Sequence, residues 1–374
     1  MLLTELATEL LLHIFNSLPT IPSVLALSST CRYFRTLIST QRLPILYLAA
    51  EAQLGPLPDA IRLVTHNSTQ PVHISRPAPP HSLALLQRLL VVGRTANQIA
   101  DLYPSQKWHG TELSLSRRSL TSLEARRLRR AVYRLWLYTL AFHNAMHTRR
   151  SRQQPPVVRS RALLLRPWPA SELAEMLDVQ YLLRGLLQHH ICPSNGTVLR
   201  RHRARYPHEQ QAPPIHNGYP RNNSSSLQQQ LDFQSKYFHS TPQVSKLLVA
   251  RRDSHRDGAG GRGAGAAMID GWGDEIAHYY VLEDMLKLDP GQIMWLYEHV
   301  ATGSSALDVG MDNANAKDRV QAYINGIGGE WFENNGETFG ETVAFVVGER
   351  GGEMEDLRAD VEDGMEGVVK GAFG

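Results

Sequence analysis

Apolar residues recur at helical spacing through the first forty residues of the chain. The first set is Leu6, Leu10, Leu11, Ile14, Phe15 and Leu18, and the second is Val24, Leu27, Cys31 and Phe34. Residues three and four apart share a face of an α-helix, so both sets predict amphipathic helices, with Pro19 closing the first. Three helices of this size are close to the limit at which one core is stable unaided, and so wide an apolar face is expected to meet a partner.

The strongest regular pattern lies at residues 121–148. Thr121 and Glu124 have the spacing of a capping box, which predicts the start of a helix. The apolar face of this helix comprises Leu128, Val132, Leu135, Trp136, Thr139 and Phe142. The opposite side carries Arg126, Arg127, Arg129, Arg130 and Arg134. We therefore predict an amphipathic helix with one strongly basic side.

Weaker signals predict three further helices. A short apolar helix is expected over residues 81–92, before a polar stretch that contains a proline. Ser171 is predicted to cap a helix over residues 172–190. Asp289 and Gln292 have capping-box spacing and predict a third helix start.

The whole pattern predicts a mainly α-helical protein, with an N-terminal three-helix bundle followed by an irregular helical domain with disordered insertions. The insertions are inferred from runs of Asn, Ser and Gln and from a stretch rich in Gly. The predicted organisation is a bundle at residues 1–45, a linker helix and Pro-rich loop at 46–81, a basic helical region at 82–192, a polar and Gly-rich disordered stretch at 193–267, an acidic helical region at 268–345 and an acidic tail at 346–374.

The net charge of +3 conceals two regions of opposite sign. Residues 111–210 hold 18 Arg or Lys against 6 Asp or Glu, a balance of +12, whereas residues 270–374 hold 6 against 22, a balance of −16. Such regions either meet in the fold or mark separate partner surfaces. Both interpretations stay open at the level of the sequence.

The cysteines and the hydropathy of the chain indicate in which cellular compartment the protein is located. The two cysteines, Cys31 and Cys192, lie far apart, which favours a reducing compartment over a disulfide framework. The N-terminus has no basic leader before an apolar run, and no stretch of about eighteen apolar residues is present. We expect a protein without a membrane span, located in the cytoplasm, the nucleus or both.

The two N-terminal blocks resemble an F-box, a helical module of ubiquitin-ligase subunits. The first block is carried by Leu6, Leu10, Leu11, Ile14, Phe15, Leu18 and Pro19, and the second by Val24, Leu25, Leu27, Ser28, Cys31, Arg32, Phe34, Arg35 and Leu37. Ala7 stands where the family usually has proline, and the resemblance covers residues 4–40. In addition, residues 129–138 are similar to the central helix of filamentous-fungal F-box proteins.

The resemblance implies a role in binding rather than in catalysis. An F-box docks onto a Skp-type adaptor, and through it onto a cullin scaffold, so the chain would be the substrate-recognition subunit of an SCF-type ubiquitin ligase with a protein substrate that the sequence does not identify. The residues expected at the adaptor interface are Leu6, Leu10, Leu11, Ile14, Phe15, Leu18, Pro19, Val24, Leu27, Cys31 and Phe34. The resemblance implies no enzymatic activity for the chain itself.

Three groups of residues elsewhere have spacings that occur in metal-binding or phosphate-binding sites. His143 and His147 are four apart, as two metal ligands on a helix are, but Asn144 stands where zinc proteases have glutamate, so we expect solvated histidines at a helix end. Residues 189–192 hold two histidines and a cysteine but no second ligand pair. Residues 258–265 are rich in Gly but lack the Gly-Lys-Ser/Thr end of a phosphate-binding loop. We therefore predict no catalytic residue, no cofactor and no metal site.

Two other functions remain as alternatives. The chain would be a structural or regulatory interaction protein, or scaffold, if it used the adaptor outside any ligase or had lost adaptor binding through changes such as Ala7; adaptor binding without the cullin would favour this alternative. It would be a nucleic-acid-associated protein if the arginines between residues 117 and 205 contacted phosphates, although no recognised nucleic-acid-binding fold accompanies them and this partner is disfavoured.

Overall fold

The architecture is a set of packed α-helices. The computed structural model describes residues 6–68, 70–74, 77–107, 119–144, 146–205, 272–301, 320, 322–323 and 337–362. These residues form fourteen α-helices and no β-strand, which confirms the predicted fold class.

The N-terminal bundle consists of α1 (Thr8–Ser17), α2 (Ile21–Ser29) and α3 (Arg32–Thr40), as predicted. Thr20 caps α2 by accepting a hydrogen bond from the Ser23 N–H at 3.2 Å, with a proline in the first turn. All three helices pack on α4 (Arg42–Leu54). The bundle is thus held against a fourth helix of the same chain.

The next helices are α5 (Leu57–Val64), α6 (Leu83–Lys107) and α7 (Ser122–Phe142). The prediction that the helix at residues 81–92 is short was wrong, because α6 continues through Pro104. Its second half buries Ala96, Ile99, Ala100 and Tyr103. The free energy gained by burying these side chains outweighs the loss of the backbone hydrogen bond that a proline cannot donate.

Helix α7 is the central element of the fold. The predicted capping box is present, with Thr121 and Glu124 each accepting from the other's backbone N–H. The helix packs against α5, α6 and α9 (Ala170–Leu186), so Tyr133 and Tyr138 are buried as well as the predicted apolar face. A helix with this much of its surface buried belongs to the core rather than to the solvent boundary.

Helix α8 (Pro155–Leu165) precedes α9, which passes directly into a π-helical turn over Leu187–Ile191. The predicted cap at Ser171 was wrong: α9 begins at Ala170, directly after Pro169, without a capping side-chain hydrogen bond. Helix α10 (Asn195–Arg205) follows, inside the stretch predicted to be disordered. The rest of that stretch, including the Gly-rich segment at 258–265, lies outside the described residues.

The acidic part of the chain adds α11 (Glu275–Met285), α12 (Pro290–Leu296), α13 (Phe339–Glu349) and α14 (Met354–Glu362). The capping box of α12 is present as predicted, between Asp289 and Gln292. A π-helical turn over Tyr297–Ala301 follows α12 and packs against the turn after α9. Helix α14 lies within the predicted acidic tail.

The buried apolar residues form one contiguous core that extends from Leu11 in α1 to Leu357 in α14. Among the helices described, none combines the length and the apolar character needed to cross a bilayer.

Candidate adaptor-binding surface

Four of the predicted adaptor-binding residues are buried in the bundle. Leu11, Phe15, Val24 and Phe34 are each at most 4% exposed. The rings of Phe15 and Phe34 meet edge to face with centroids 5.9 Å apart, a favoured aromatic geometry. These side chains hold α1, α2 and α3 together, so the structure places them in the core of the bundle rather than on its surface.

The other predicted residues lie at or near the surface of the bundle. Leu10 is 54% exposed and Pro19 is exposed, whereas Leu6, Ile14, Leu18, Leu27 and Cys31 are partly buried. Within α1, Leu10 and Ile14 are one turn apart, and each directly precedes one of the buried residues Leu11 and Phe15.

Two exposed apolar side chains of the bundle were absent from the predicted interface. Leu25 in α2 and Tyr33 in α3 are each almost half exposed. The Tyr33 hydroxyl lies 3.4 Å from the Thr8 Oγ1, which sets this ring beside the start of α1. Leu25 had a signal in the sequence, since it belongs to the second F-box block, whereas Tyr33 had none.

Cys31 has a local structural role. Its Sγ accepts a hydrogen bond from the Phe34 N–H at 3.5 Å and so caps α3, in the position usually held by Ser, Thr, Asp or Asn. The start of α1 lacks such a cap, but Ala7 has φ of −58°, within the range that a proline ring imposes. The replacement of the family's proline by Ala7 is therefore compatible with the same backbone conformation.

Helix α4 connects the bundle rigidly to the rest of the fold. The Ile21 N–H at the start of α2 donates to Oε1 of Gln53 at 3.1 Å. At the end of α4, the Tyr133 hydroxyl of α7 donates to the Leu54 carbonyl oxygen at 2.7 Å, in a buried position. A surface on α1–α3 is thereby fixed in orientation relative to the central helix.

The arginines of α7 face carboxylates of the same chain. Arg134 contacts Asp59 at 2.7 Å and Glu172 at 2.6 Å, and Arg130 contacts Glu175 at 2.6 Å. Burial raises the pKa of Glu175, and the hydrogen bond from Arg130 opposes this effect. The basic side is thus largely paired inside the fold, which leaves less positive charge for phosphates of a nucleic acid.

The basic and acidic regions of the chain meet directly. Arg152 contacts Glu341 at 2.5 Å, and Arg166 contacts Glu349 at 2.7 Å, both in α13. Arg184 in α9 contacts Glu283 in α11 at 2.8 Å. Of the two interpretations of the opposite charges, these contacts support the one in which the regions meet in the fold.

The expectation of solvated histidines after α7 was wrong for His143, which is buried. Burial lowers the pKa of His143 to about 3, and the positive charges of Lys287 and Arg161 act in the same direction. Cys192 is also buried, and its carbonyl oxygen lies 2.6 Å from Nε2 of His278. Within the part of the chain that the structure describes, no three His, Cys, Asp or Glu side chains are placed to share a metal ion.

Comparison with known proteins identifies one region. The family model of the F-box-like domain matches residues 6–43, which span α1, α2, α3 and the first residues of α4. Neither the curated proteins nor the solved structures contain a match to the chain. The bundle geometry and the family match therefore agree, and the chain carries an F-box-like domain at residues 6–43.

Proposed function

We propose that this chain is the substrate-recognition subunit of an SCF-type ubiquitin ligase. In this role α1–α3 bind a Skp-type adaptor, the adaptor connects the chain to a cullin scaffold, and the helices after α4 hold a protein substrate. The chain performs no bond chemistry of its own. It raises the concentration of the substrate near a ubiquitin-charged enzyme by tethering both to one assembly. We expect this assembly in the cytoplasm, the nucleus or both, a setting in which the free thiols of Cys31 and Cys192 are stable.

The observation that carries the proposal is the division of the F-box-like domain into a buried and an exposed apolar part. Leu11 and Phe15 face the core, while Leu10, one residue away, keeps more than half of its surface exposed. An exposed leucine on an amphipathic helix of an F-box-like domain supports adaptor binding, because helix faces of this kind bind partners through burial of apolar surface.

The test is capture of purified adaptor and cullin by the full chain and by Leu10→Asp. Leu10 lies in the first turn of α1, where an acidic side chain suits the helix dipole, so the fold should tolerate the change. A charge at an apolar interface should weaken adaptor capture at least tenfold, a loss of about 1.4 kcal/mol. The matched control is Leu123→Asp, which places a charge at a 58% exposed leucine in the first turn of α7.

Three outcomes separate the possibilities. Capture of both partners by the wild type and by Leu123→Asp, with loss in Leu10→Asp, supports the ligase role. Capture of the adaptor without the cullin favours the alternative of a scaffold outside any ligase. If the wild-type chain captures neither partner, adaptor binding is ruled out and the proposal fails.

A further inference from the structure

A cavity of about 960 Å³ lies beside the F-box-like domain. Its walls come from α4, α5 and a Pro-rich wall formed by residues 65–67, 70–72, 74, 77–79 and 81, with Arg134, Leu137 and Trp168 contributing from the central part of the fold. This volume is at the upper end of the range of ligand sites in proteins and exceeds what one side chain fills. The cavity therefore has room for a short piece of another chain.

The Pro-rich wall is held in place by contacts to α4 and α5. The Tyr47 hydroxyl of α4 donates to the Ser82 carbonyl oxygen at 3.1 Å, and the Tyr47 ring stacks on His81 with centroids 3.8 Å apart. Arg62 of α5 donates to the carbonyl oxygen of Val72 at 2.9 Å. A wall that is already ordered reduces the entropy cost of binding a ligand.

The lining of the cavity is mainly apolar. Leu48 and Ile74 are each about half exposed there, and three of the prolines that contribute to the lining are Pro58, Pro71 and Pro77. Proline has no N–H, so its backbone can accept but cannot donate a hydrogen bond. A wall of this kind fits a ligand that supplies apolar groups together with N–H donors, and an extended peptide supplies both.

Two carboxylates and two arginines line the cavity, but Glu51 pairs with Arg126 and Asp59 with Arg134, which leaves Arg62 to face an anionic group on the ligand. Arg134 is paired with Asp59 and Glu172, whereas Arg62 donates to the neutral carbonyl of Val72. Burial lowers the pKa of the Arg62 guanidinium, although Asp59 opposes the effect, so an additional carboxylate near this side chain would stabilise its charge. Arginine is well suited to a carboxylate because it can donate two parallel hydrogen bonds.

We propose that this cavity is the substrate site, and that it binds a short extended peptide in which a carboxylate side chain stands beside apolar side chains. The carboxylate pairs with Arg62, and the apolar side chains cover Leu48 and Ile74. That the peptide belongs to a ligase substrate rests on the proposed function. Because α4 lines the cavity and also supports α1–α3, a bound peptide is held close to the adaptor and in a fixed orientation.

The experiment selects random heptapeptides displayed on phage against the immobilised full chain and measures the binding of a selected peptide by fluorescence anisotropy. The selected peptides should share an Asp or Glu flanked by apolar residues. Arg62→Gln should weaken binding at least tenfold, and should have little effect on the same peptide with Asn or Gln in place of its acid. Thermal melting of each variant checks that the fold is retained.

A charge-swap pair tests the same site at an exposed position. Leu48→Glu should weaken binding at least tenfold and clearly more than Leu48→Lys, because only the glutamate repels the carboxylate of the peptide. The control Leu163→Glu alters a partly exposed leucine of α8 outside the cavity and should change the Kd less than threefold. Peptides without a shared acid, or binding that Leu48→Glu leaves unchanged, would overturn the proposal.

Adaptor capture by the same variants separates this inference from the proposed function. Leu48 and Arg62 lie outside residues 6–43, so capture should stay at the level of the wild type. Selective peptide binding without adaptor capture would leave the cavity site standing and remove its role in a ligase. Adaptor capture without selective peptide binding would leave the ligase role standing and reject the cavity as its substrate site.

Discussion

Glu337 is a carboxylic acid in the core, at the start of α13. It is buried, and one of its oxygens accepts a hydrogen bond from the Phe339 N–H. Burial raises its pKa from an ordinary value of 4.5 to about 7, and the nearby negative charge of Glu283 acts in the same direction. Between these pH values the native chain holds a proton that the unfolded chain has released. The contribution of this group to stability is therefore complete below pH 4.5 and declines as the pH rises towards 7.

We expect Glu337→Gln to remove this dependence on pH. The amide oxygen still accepts the hydrogen bond, and the side chain no longer has to ionise in the core. The variant should match the wild type at pH 4.5 and exceed its free energy of unfolding by roughly 2–3 kcal/mol at pH 8. Urea denaturation of both proteins at the two pH values measures the difference. A difference that is the same at both pH values would show that folding does not raise the pKa of Glu337.

At the scale of residues, the sequence predicted amphipathic helices in the bundle but not which of their apolar side chains are buried. The spacing of Leu10 and Ile14 is the same as that of Leu11 and Phe15, so periodicity cannot tell which pair faces inward. The choice depends on the helices that pack on α1: α4 lies against it, and Phe15 meets Phe34 of α3. His143 was misjudged for a similar reason, because its burial comes from residues far away in the sequence.

At the scale of the elements, Gly93 allows α4 and α6 to pack closely. A β-carbon at Gly93 in α6 would lie 2.6 Å from Cδ2 of Leu54, whose side chain is itself buried at the end of α4. Real β-carbons do not come this close to another heavy atom, so Leu54 or one of the helices would have to move. This contact helps to hold α4, and with it the F-box-like domain, against α6.

We expect Gly93→Ala to destabilise the protein by about 1–3 kcal/mol through overpacking. Gly185→Ala in α9 is the matched control, because a β-carbon there meets no atom within 4 Å and alanine is the better helix former. That control should raise the free energy of unfolding by about 0.5–1 kcal/mol. Far-UV circular dichroism in urea compares the two variants. If Gly93→Ala is stabilising as well, the contact between α4 and α6 is looser than the structure indicates.

Helix starts were predicted better than helix lengths. The capping boxes at Thr121 and Asp289 are local patterns of four residues, and both were confirmed. The length of α6 depends on tertiary burial, which overrides the local signal of Pro104. Ser171 is a suitable capping residue, but the cap position of α9 is held by Pro169. Capping preference alone therefore predicted the wrong first residue.

At the scale of the whole molecule, the sequence predicted an α-helical protein with an N-terminal bundle but not how its parts combine. Residues 46–81 were predicted to be a linker helix and loop, yet α4 packs on the bundle and on α6, and α5 packs on α6 and α7. They also line the cavity proposed as a substrate site. Such contacts join residues distant in sequence, and a single chain carries no local pattern for them.

The continuous core predicts that the F-box-like domain and the helices after it unfold together. Phe34 is buried against Phe15 in the bundle, and Phe34→Ala should cost about 3–5 kcal/mol. All six tryptophans follow residue 100, so their fluorescence reports on the part of the chain beyond the bundle. With one cooperative transition, Phe34→Ala should lower the urea midpoint seen by tryptophan fluorescence as much as the midpoint seen by far-UV circular dichroism. Leu25→Ala, at an exposed leucine, should move neither midpoint by much. A tryptophan transition that Phe34→Ala leaves in place would show that the bundle unfolds by itself, and a substrate held on α4 would then lose its fixed orientation towards the adaptor.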